Sequence, residues 1–319
     1  MNKSQLSFQF TYSSRMVMKN TLYKQKISFP YVSIFVFFFI FISSSSHASD
    51  IIKINRGQSE KDIRTNYTYT VLNKALIASI PKFGAFGIEV TGFEVPNHQT
   101  LKELVKGEFI NVAMALTTDE WEEKSTPIRI PIRRGIFSYR LLAINTAKTE
   151  VFNNIHTLEQ LKTLTVGVRK SWTTRKVLTK LGFEVSDAYS YDSIFAMLDK
   201  NRFDYIPRGI HEIYDEIEIR KVDLPHLMVE PRLALYIPSP FYMFVSKSTP
   251  QIAARLELGL EKMVEDGSLQ SLFEQYYGAY IEKADLENRT IIHLGNPLLP
   301  SKTPLERKEL WHSFSVKAQ

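Results

Sequence analysis

Downstream of Asp50, short runs of β-branched and aromatic residues alternate with longer stretches whose apolar positions recur every three or four residues. Strand-like and helix-like periods in alternation predict an α/β architecture. Ile51 to Ile54 reads as the first strand. Tyr67 to Ile80 follows as a helix, with Val71, Leu72, Ala75, Leu76 and Ile80 at helical spacing and Pro81 as its expected end. Phe86 to Val95 reads as a second strand region, Thr100 to Lys106 as a short helix closed by Gly107, and Phe109 to Leu116 as a third strand.

A second set of elements begins after Asn145. Leu158 to Lys162 is a short helix, Leu164 to Val168 a strand, and Thr174 to Leu181 a helix with Gly182 as a left-handed stop. A strand is expected around Phe183 to Val185. Asp192 is placed to cap a helix carrying Ile194, Phe195 and Leu198, and Asn201 turns the chain into a strand around Phe203 to Ile206. Leu233 to Ile237 and Phe241 to Ser246 return as extended segments. Thr249 then caps a helix with Pro250 at its first position, Gly267 stops it, and Ser268 opens a last helix over Leu269 to Tyr277. The tail from Ile281 to Gln319 holds Pro297, Pro300 and Pro304 and has no convincing period. It is expected to lie on the surface, anchored by Leu298, Leu299 and Trp311.

The first fifty residues follow another pattern. Lys19, Lys24 and Lys26 precede an apolar run from Tyr31 to Ile42, which exits through four serines, His47 and Ala48. Basic, apolar and small-residue regions in that order predict a secretory signal peptide over 1–48, cleaved after Ala48, with Met18 as an alternative start. Twelve residues of helix span about 18 Å against a hydrocarbon core of about 30 Å, which argues against a membrane anchor. The 319 residues carry Lys+Arg 40 against Asp+Glu 34, a formal net charge of +6. Five of those basic residues precede Asp50, so the remainder is nearly neutral and has no cationic surplus for a phosphate backbone. The chain has no cysteine, which excludes disulfides, thiolate metal sites and a lipid-bearing cysteine at the cleavage site. The expected compartment is the periplasm.

Catalytic patterns are weak. His211-Glu212-Ile213-Tyr214-Asp215 puts Asp215 where a zinc-binding H-E-x-x-H pair needs its second imidazole, and the other histidines are isolated. No nucleophile elbow, phosphate-binding loop or dinucleotide fingerprint is present, so no cofactor and no metal are expected. A binding site is better supported. Lys170-Ser171-Trp172-Thr173-Thr174 lies between a strand and a helix, where backbone N–H groups and hydroxyls can hold an anion and Trp172 can form an apolar wall; equally, it can be only a helix cap. Arg202 to Gly209 is expected at the carboxyl end of a strand, where open α/β sheets place ligand contacts. There Asp204 and Arg208 can grip a zwitterion or simply pair with each other.

From about Ile51 to Gly278, the order of segments resembles the family 3 extracellular solute-binding proteins, the periplasmic receptors of amino-acid ABC transporters. Thr100 to Thr118 (TLKELVKGEFINVAMALTT) is similar to the family's helix, Gly turn and strand leading into its first-lobe ligand loop. Thr157 to Ser171 (TLEQLKTLTVGVRKS) resembles its second-lobe opening. Tyr189 to Asp204 follows the family's helix, turn, strand and Asp, and Asp266-Gly267-Ser268-Leu269 with Tyr276-Tyr277-Gly278 its closing helices. The resemblance implies an α/β, two-lobed periplasmic binding protein fold of type II. Two crossing strands, Arg140 to Asn145 outward and Tyr242 to Ser246 back, are then expected to bend near Asn145 and Ser246. The lobes would take 49–144 with 246–280, and 145–245, leaving 281–319 as the tail.

The implied ligand residues are Thr117, Thr118, Arg140, Trp172, Thr173, Asp204 and Arg208. The family's first-lobe arginine, which clamps the substrate carboxylate, is missing: Asp119-Glu120-Trp121-Glu122-Glu123 follows Thr118. Arg129, Arg133, Arg134 and Arg140 are the candidate replacements, Arg140 first. The expected function is capture of a small polar, amino-acid-like solute by a monomer that delivers it to an inner-membrane ABC permease. The alternatives are ligand sensing for a membrane receptor or kinase and, from a different class, a dehydratase-like enzyme with Asp204 as its acid or base.

Overall fold

The computed structural model describes residues 49–56, 63–93, 95 and 97–316. The expected signal segment lies outside the described residues. No described helix is long and apolar enough to cross a membrane.

The chain enters through β1 (Asp50–Ile54), α1 (Ile63–Phe83), β2 (Phe86–Val90), α2 (Asn97–Lys106), β3 (Val112–Leu116), α3 (Asp119–Lys124) and β4 (Thr126–Ile128). β1 and β2 pair in parallel. Asn111 links β1 to the start of β3, accepting the Lys53 amide at 2.7 Å on its side chain and donating its own amide to the Lys53 carbonyl at 2.9 Å. α1 runs through Pro81 rather than ending there, because proline in the last turn costs only a bond near a helix end. Gly84, with φ of 75°, ends it by donating to the Ile80 carbonyl.

The second set is β5 (Tyr139–Asn145), α4 (Thr149–Asn153), α5 (Leu158–Lys162), β6 (Val166–Arg169), α6 (Thr173–Lys180), β7 (Val185–Ala188), α7 (Tyr191–Asp199), β8 (Tyr205–Gly209), α8 (Ile213–Glu218), β9 (Leu227–Val229) and β10 (Leu233–Tyr236). The α7 cap is Ser190, which forms a reciprocal capping box with Ser193; Asp192 falls inside the first turn instead. The chain returns through β11 (Phe241–Val245), α9 (Pro250–Glu265), α10 (Ser268–Ala284) and β12 (Thr290–His293). β11 is the middle strand of an antiparallel β3-β11-β4 sheet. The other large sheet has the order β12-β10-β5-β8-β6-β7, with β9 also paired to β5. The tail therefore does not merely wrap the surface: β12 adds a parallel edge strand to β10, burying Ile291 and Ile292.

These pairings correct the expected crossings. β5 lies wholly in the second sheet, against β8, β9 and β10, and β11 wholly in the first lobe's sheet, against β3 and β4. The chain changes lobe before β5 and before β11, near Ser138 and Ser239, and not near Asn145 and Ser246. At that point the two connectors are bonded to each other. The Ser239 amide donates to the Ser138 hydroxyl at 3.0 Å, and the Ile237 amide to the Ser138 carbonyl at 2.8 Å.

α9 carries Ile252, Leu256, Leu260 and Met263 as a buried stripe against α1. Gly259 lets the two backbones meet, since a Cβ there would lie 1.9 Å from the Ala75 carbonyl oxygen. Arg255 is completely buried on the same helix. It is satisfied by Ser79 Oγ at 3.0 Å, Asp50 Oδ2 at 2.9 Å and the carbonyls of Gly84 and Ala85, which ties α9 to β1 and to the end of α1.

Candidate ligand-binding slot

A narrow slot lies where the two lobes meet, with about 10 Å³ of room for water-sized centres, close to the space of a single water. Leu116 and Thr117 come from the end of β3, Thr173, Thr174 and Val177 from the start of α6, and Arg140 from β5. Ile237 and Ser239 of the returning connector and Asn296 of the tail complete the lining. Each contributor follows from local structure. β3 ends where the Thr117 amide is taken by the Pro240 carbonyl at 3.0 Å, and α6 begins at Thr173 because Trp172, in extended conformation, occupies its cap. Arg140 pairs with Gly209 across the sheet, which sets its side chain on the α6 side, where Leu142 and Ile144 pack in the same cluster as Val177 and Leu178.

Among the described residues, Arg140 is the one charged side chain in this lining. Its Nε is enclosed and has no hydrogen-bond partner. Burial lowers the guanidinium to about 10, with Glu212 opposing the fall and Arg208 adding to it. Among the described residues no carboxylate lines the slot. The nearby acids are matched elsewhere: Glu122 takes Arg129 at 2.6 Å and the Thr117 hydroxyl at 2.9 Å, while Glu212 takes the Gly209 amide at 3.0 Å and Arg208 at 3.0 Å.

Arg208 is buried next to the slot, outside its lining. It makes two hydrogen bonds to Glu216 and lies 4.4 Å above the Trp172 ring. Burial acts to lower its pKa, but Glu212 and Glu216 outweigh that and hold it above its ordinary range. Glu212 is buried as well, and the charge of Arg208, joined by His211, Gly209 and Arg140, keeps it down at about 2. Gly209 is what allows this crowding, because a Cβ there would meet the His211 ring at 2.5 Å and Glu212 Oε1 at 3.2 Å. Trp172 is thus a platform for Arg208 rather than a wall of the slot.

The structure brings three of the seven expected residues into the lining: Thr117, Arg140 and Thr173. Thr118 is the cap of α3, accepting the Trp121 amide. Asp204 is corrected most. β8 begins at Tyr205, so Asp204 stands at the amino end of the strand, some 13 to 17 Å of strand away from Gly209. It does not meet Arg208: Oδ1 pairs with Lys148 at 2.9 Å and Oδ2 accepts the Thr165 amide at 2.8 Å. Trp121, at the place of the missing arginine, packs its ring 5.0 Å from Phe244. Of the other candidate arginines, Arg129 is held by Glu122. Arg133 is buried among the Tyr67, Phe137, Phe241 and Tyr277 rings, and Arg134 donates to the Trp311 carbonyl at 3.1 Å. Ser239 and Asn296 were missed. Pro238-Ser239-Pro240 and Gly295-Asn296-Pro297 are turn signals, which mark a bend but not what it faces.

No protein-family model matches the sequence, and no curated protein matches it. Solved structures do match. An ancestral arginine-binding protein bound to glutamine aligns with a TM-score of 0.50 and 16% identity over 73% of this chain and 100% of its own. A histidine kinase sensor domain with similarity to periplasmic binding proteins aligns at 0.50 and 13% over 73% and 98%. The BvgS VFT2 domain of Bordetella pertussis, in a double-mutant form, aligns at 0.50 and 13% over 71% and 93%. With sheets divided between two lobes and two bonded connectors between them, the chain has the type II periplasmic-binding-protein fold.

Proposed function

We propose that this protein is an exported, monomeric solute receptor that captures a small polar molecule between its lobes and hands it to an inner-membrane ABC permease. The observation that carries the reading is the slot itself, lined from β3, from α6 and from the returning connector between the lobes, with one buried cation whose Nε has no hydrogen-bond partner. A molecule seated there touches both lobes only when they are together, so its binding energy shifts the open–closed equilibrium. The bend belongs at Ser138 and Ser239, the bonded changeover of the two connectors. Sensing is the second reading, favoured by the histidine kinase sensor domain among the three structures described. The dehydratase-like reading loses its acid or base, since Asp204 is at the far end of β8.

The test is thermal unfolding and small-angle X-ray scattering of the processed chain with amino acids, polyamines, small organic acids and sugars. A ligand at 100 times its dissociation constant adds about 2.7 kcal/mol of stability, and it should also compact the particle. Failure of every class to do either refutes the receptor reading. Once a ligand is found, a deletion strain that loses its uptake supports transport. One that keeps uptake but loses the transcriptional response to it supports sensing.

A further inference from the structure

From the lining of the slot we infer the chemical class of its ligand: a small monocarboxylate without an ammonium group, held through its carboxylate by Arg140. The inference rests on the receptor reading and narrows it. Arg140 belongs to a lining that, among the described residues, holds no acid, and its Nε is enclosed without a hydrogen-bond partner. A buried cation in that condition is stabilised by a carboxylate, which a guanidinium fork can bind with two parallel hydrogen bonds. Glu212 acts on Arg140 electrostatically and pairs with Arg208 at 3.0 Å, but the Arg140 Nε stays without a hydrogen-bond partner.

An α-amino acid brings a second charge of opposite sign. Its ammonium needs an anionic acceptor inside the slot, and threonine, serine and asparagine dipoles do not supply that charge. The acid expected for that role, Asp204, is at the other end of β8 on Lys148 and the Thr165 amide. Glu122, Glu212 and Glu216 are each bonded to an arginine. The apolar walls of the slot, Leu116, Val177 and Ile237, suit an acid with a hydroxyl, keto or alkyl substituent where an amino acid carries nitrogen.

Lactate and alanine differ at that substituent and are the deciding probes. Lactate, pyruvate and acetate are titrated calorimetrically into the processed chain beside alanine, glutamate, lysine, putrescine and glucose. The expected result is binding of at least one monocarboxylate, at least tenfold tighter than alanine. Arg140→Gln should weaken it at least tenfold, with Arg140→Lys recovering part of the loss and Asp204→Asn leaving affinity unchanged. Should Arg140→Gln fail to fold, Thr173→Val and the lactate–alanine ratio in the wild type carry the test. Tighter binding of alanine than of lactate overturns the inference and leaves the receptor reading standing, as does binding of only putrescine or glucose. No binding of any probe overturns this inference, and the receptor reading falls with it if the particle never compacts.

Discussion

At the scale of single residues, the density of matched charges at the carboxyl end of β8 decides what a substitution does. Arg208 and Glu216 are each 7% exposed and hydrogen-bonded to each other, and Glu212 pairs with the same guanidinium at 3.0 Å, so removing Glu216 leaves Arg208 with one carboxylate of two. Glu216→Gln should therefore cost about 1.5 to 3 kcal/mol, the range for a hydrogen bond to a charged group and less than the loss of a sole buried partner. Glu212 adds a pH dependence of known sign. Its carboxyl is held at about 2 in the folded protein, against an ordinary 4.5, so the stability it contributes is complete above about 4.5 and is lost as pH falls toward 2. Urea unfolding of wild type and Glu212→Gln should differ fully at pH 7 and converge between pH 4.5 and 2. A difference that holds constant across that range would mean Glu212 acts by shape, not by charge. The sequence made Arg208 and Trp172 visible as a cluster, but not their mutual contact. Asp204 was misplaced for a physical reason: β8 starts two residues later than its apolar run suggests, because Phe203 is spent packing over Gly167 before pairing begins.

At the scale of elements, most helices declare themselves through caps and stops that sequence carries explicitly. Thr157 and Gln160 form a capping box over α5, Gly182 ends α6 with φ of 80°, and Gly267 separates α9 from α10 with φ of 73°. β12 was not legible, since four residues, Thr290–His293, hold too few positions to establish a period, and their pairing depends on β10, more than fifty residues earlier. The α1–α9 contact was also hidden. An isolated glycine inside a helical pattern reads as a mild defect, yet Gly259 is the point where the α9 backbone touches the Ala75 carbonyl. Gly259→Ala would gain helix propensity of up to about 1 kcal/mol and still destabilise, because a methyl 1.9 Å from a backbone oxygen forces the helices apart. A net loss of about 1 to 3 kcal/mol in chemical denaturation is expected. A stabilised variant would show that the two helices separate without cost.

At the scale of the whole molecule, the tail changes how the lobes are joined. After β12 leaves the second sheet, the Leu294 amide donates to the Tyr236 carbonyl and the Asn296 side chain to the Pro238 carbonyl at 2.7 Å, so the tail follows the returning connector. It then reaches first-lobe α9, where Arg307 makes two hydrogen bonds to Glu261 at 2.7 and 2.9 Å, and crosses to the outgoing connector, where the His312 amide donates to the Arg134 carbonyl at 2.9 Å. Leu310 is fully buried and Trp311 packs over Gly135. A fold whose lobes are otherwise joined by two segments thus has a third crossing that grips both of them. A chain ending at Gly295 keeps β12 and loses that grip. Burial of Leu310 alone is worth about 1.5 to 3 kcal/mol, so the truncated protein should unfold at least about 2 kcal/mol more easily. The more specific expectation concerns the connectors, because losing the tail removes contacts on either side of the Ser138–Ser239 bond. Exchange of the Ile237 and Ser239 amides, which both bond to Ser138, should accelerate more than that of β6 amides in the second sheet, and scattering should report a broader range of lobe separations. Equal acceleration everywhere would reduce the tail to ordinary core cover. Selective acceleration at Ile237 and Ser239 would identify it as the brace that sets how far the slot opens.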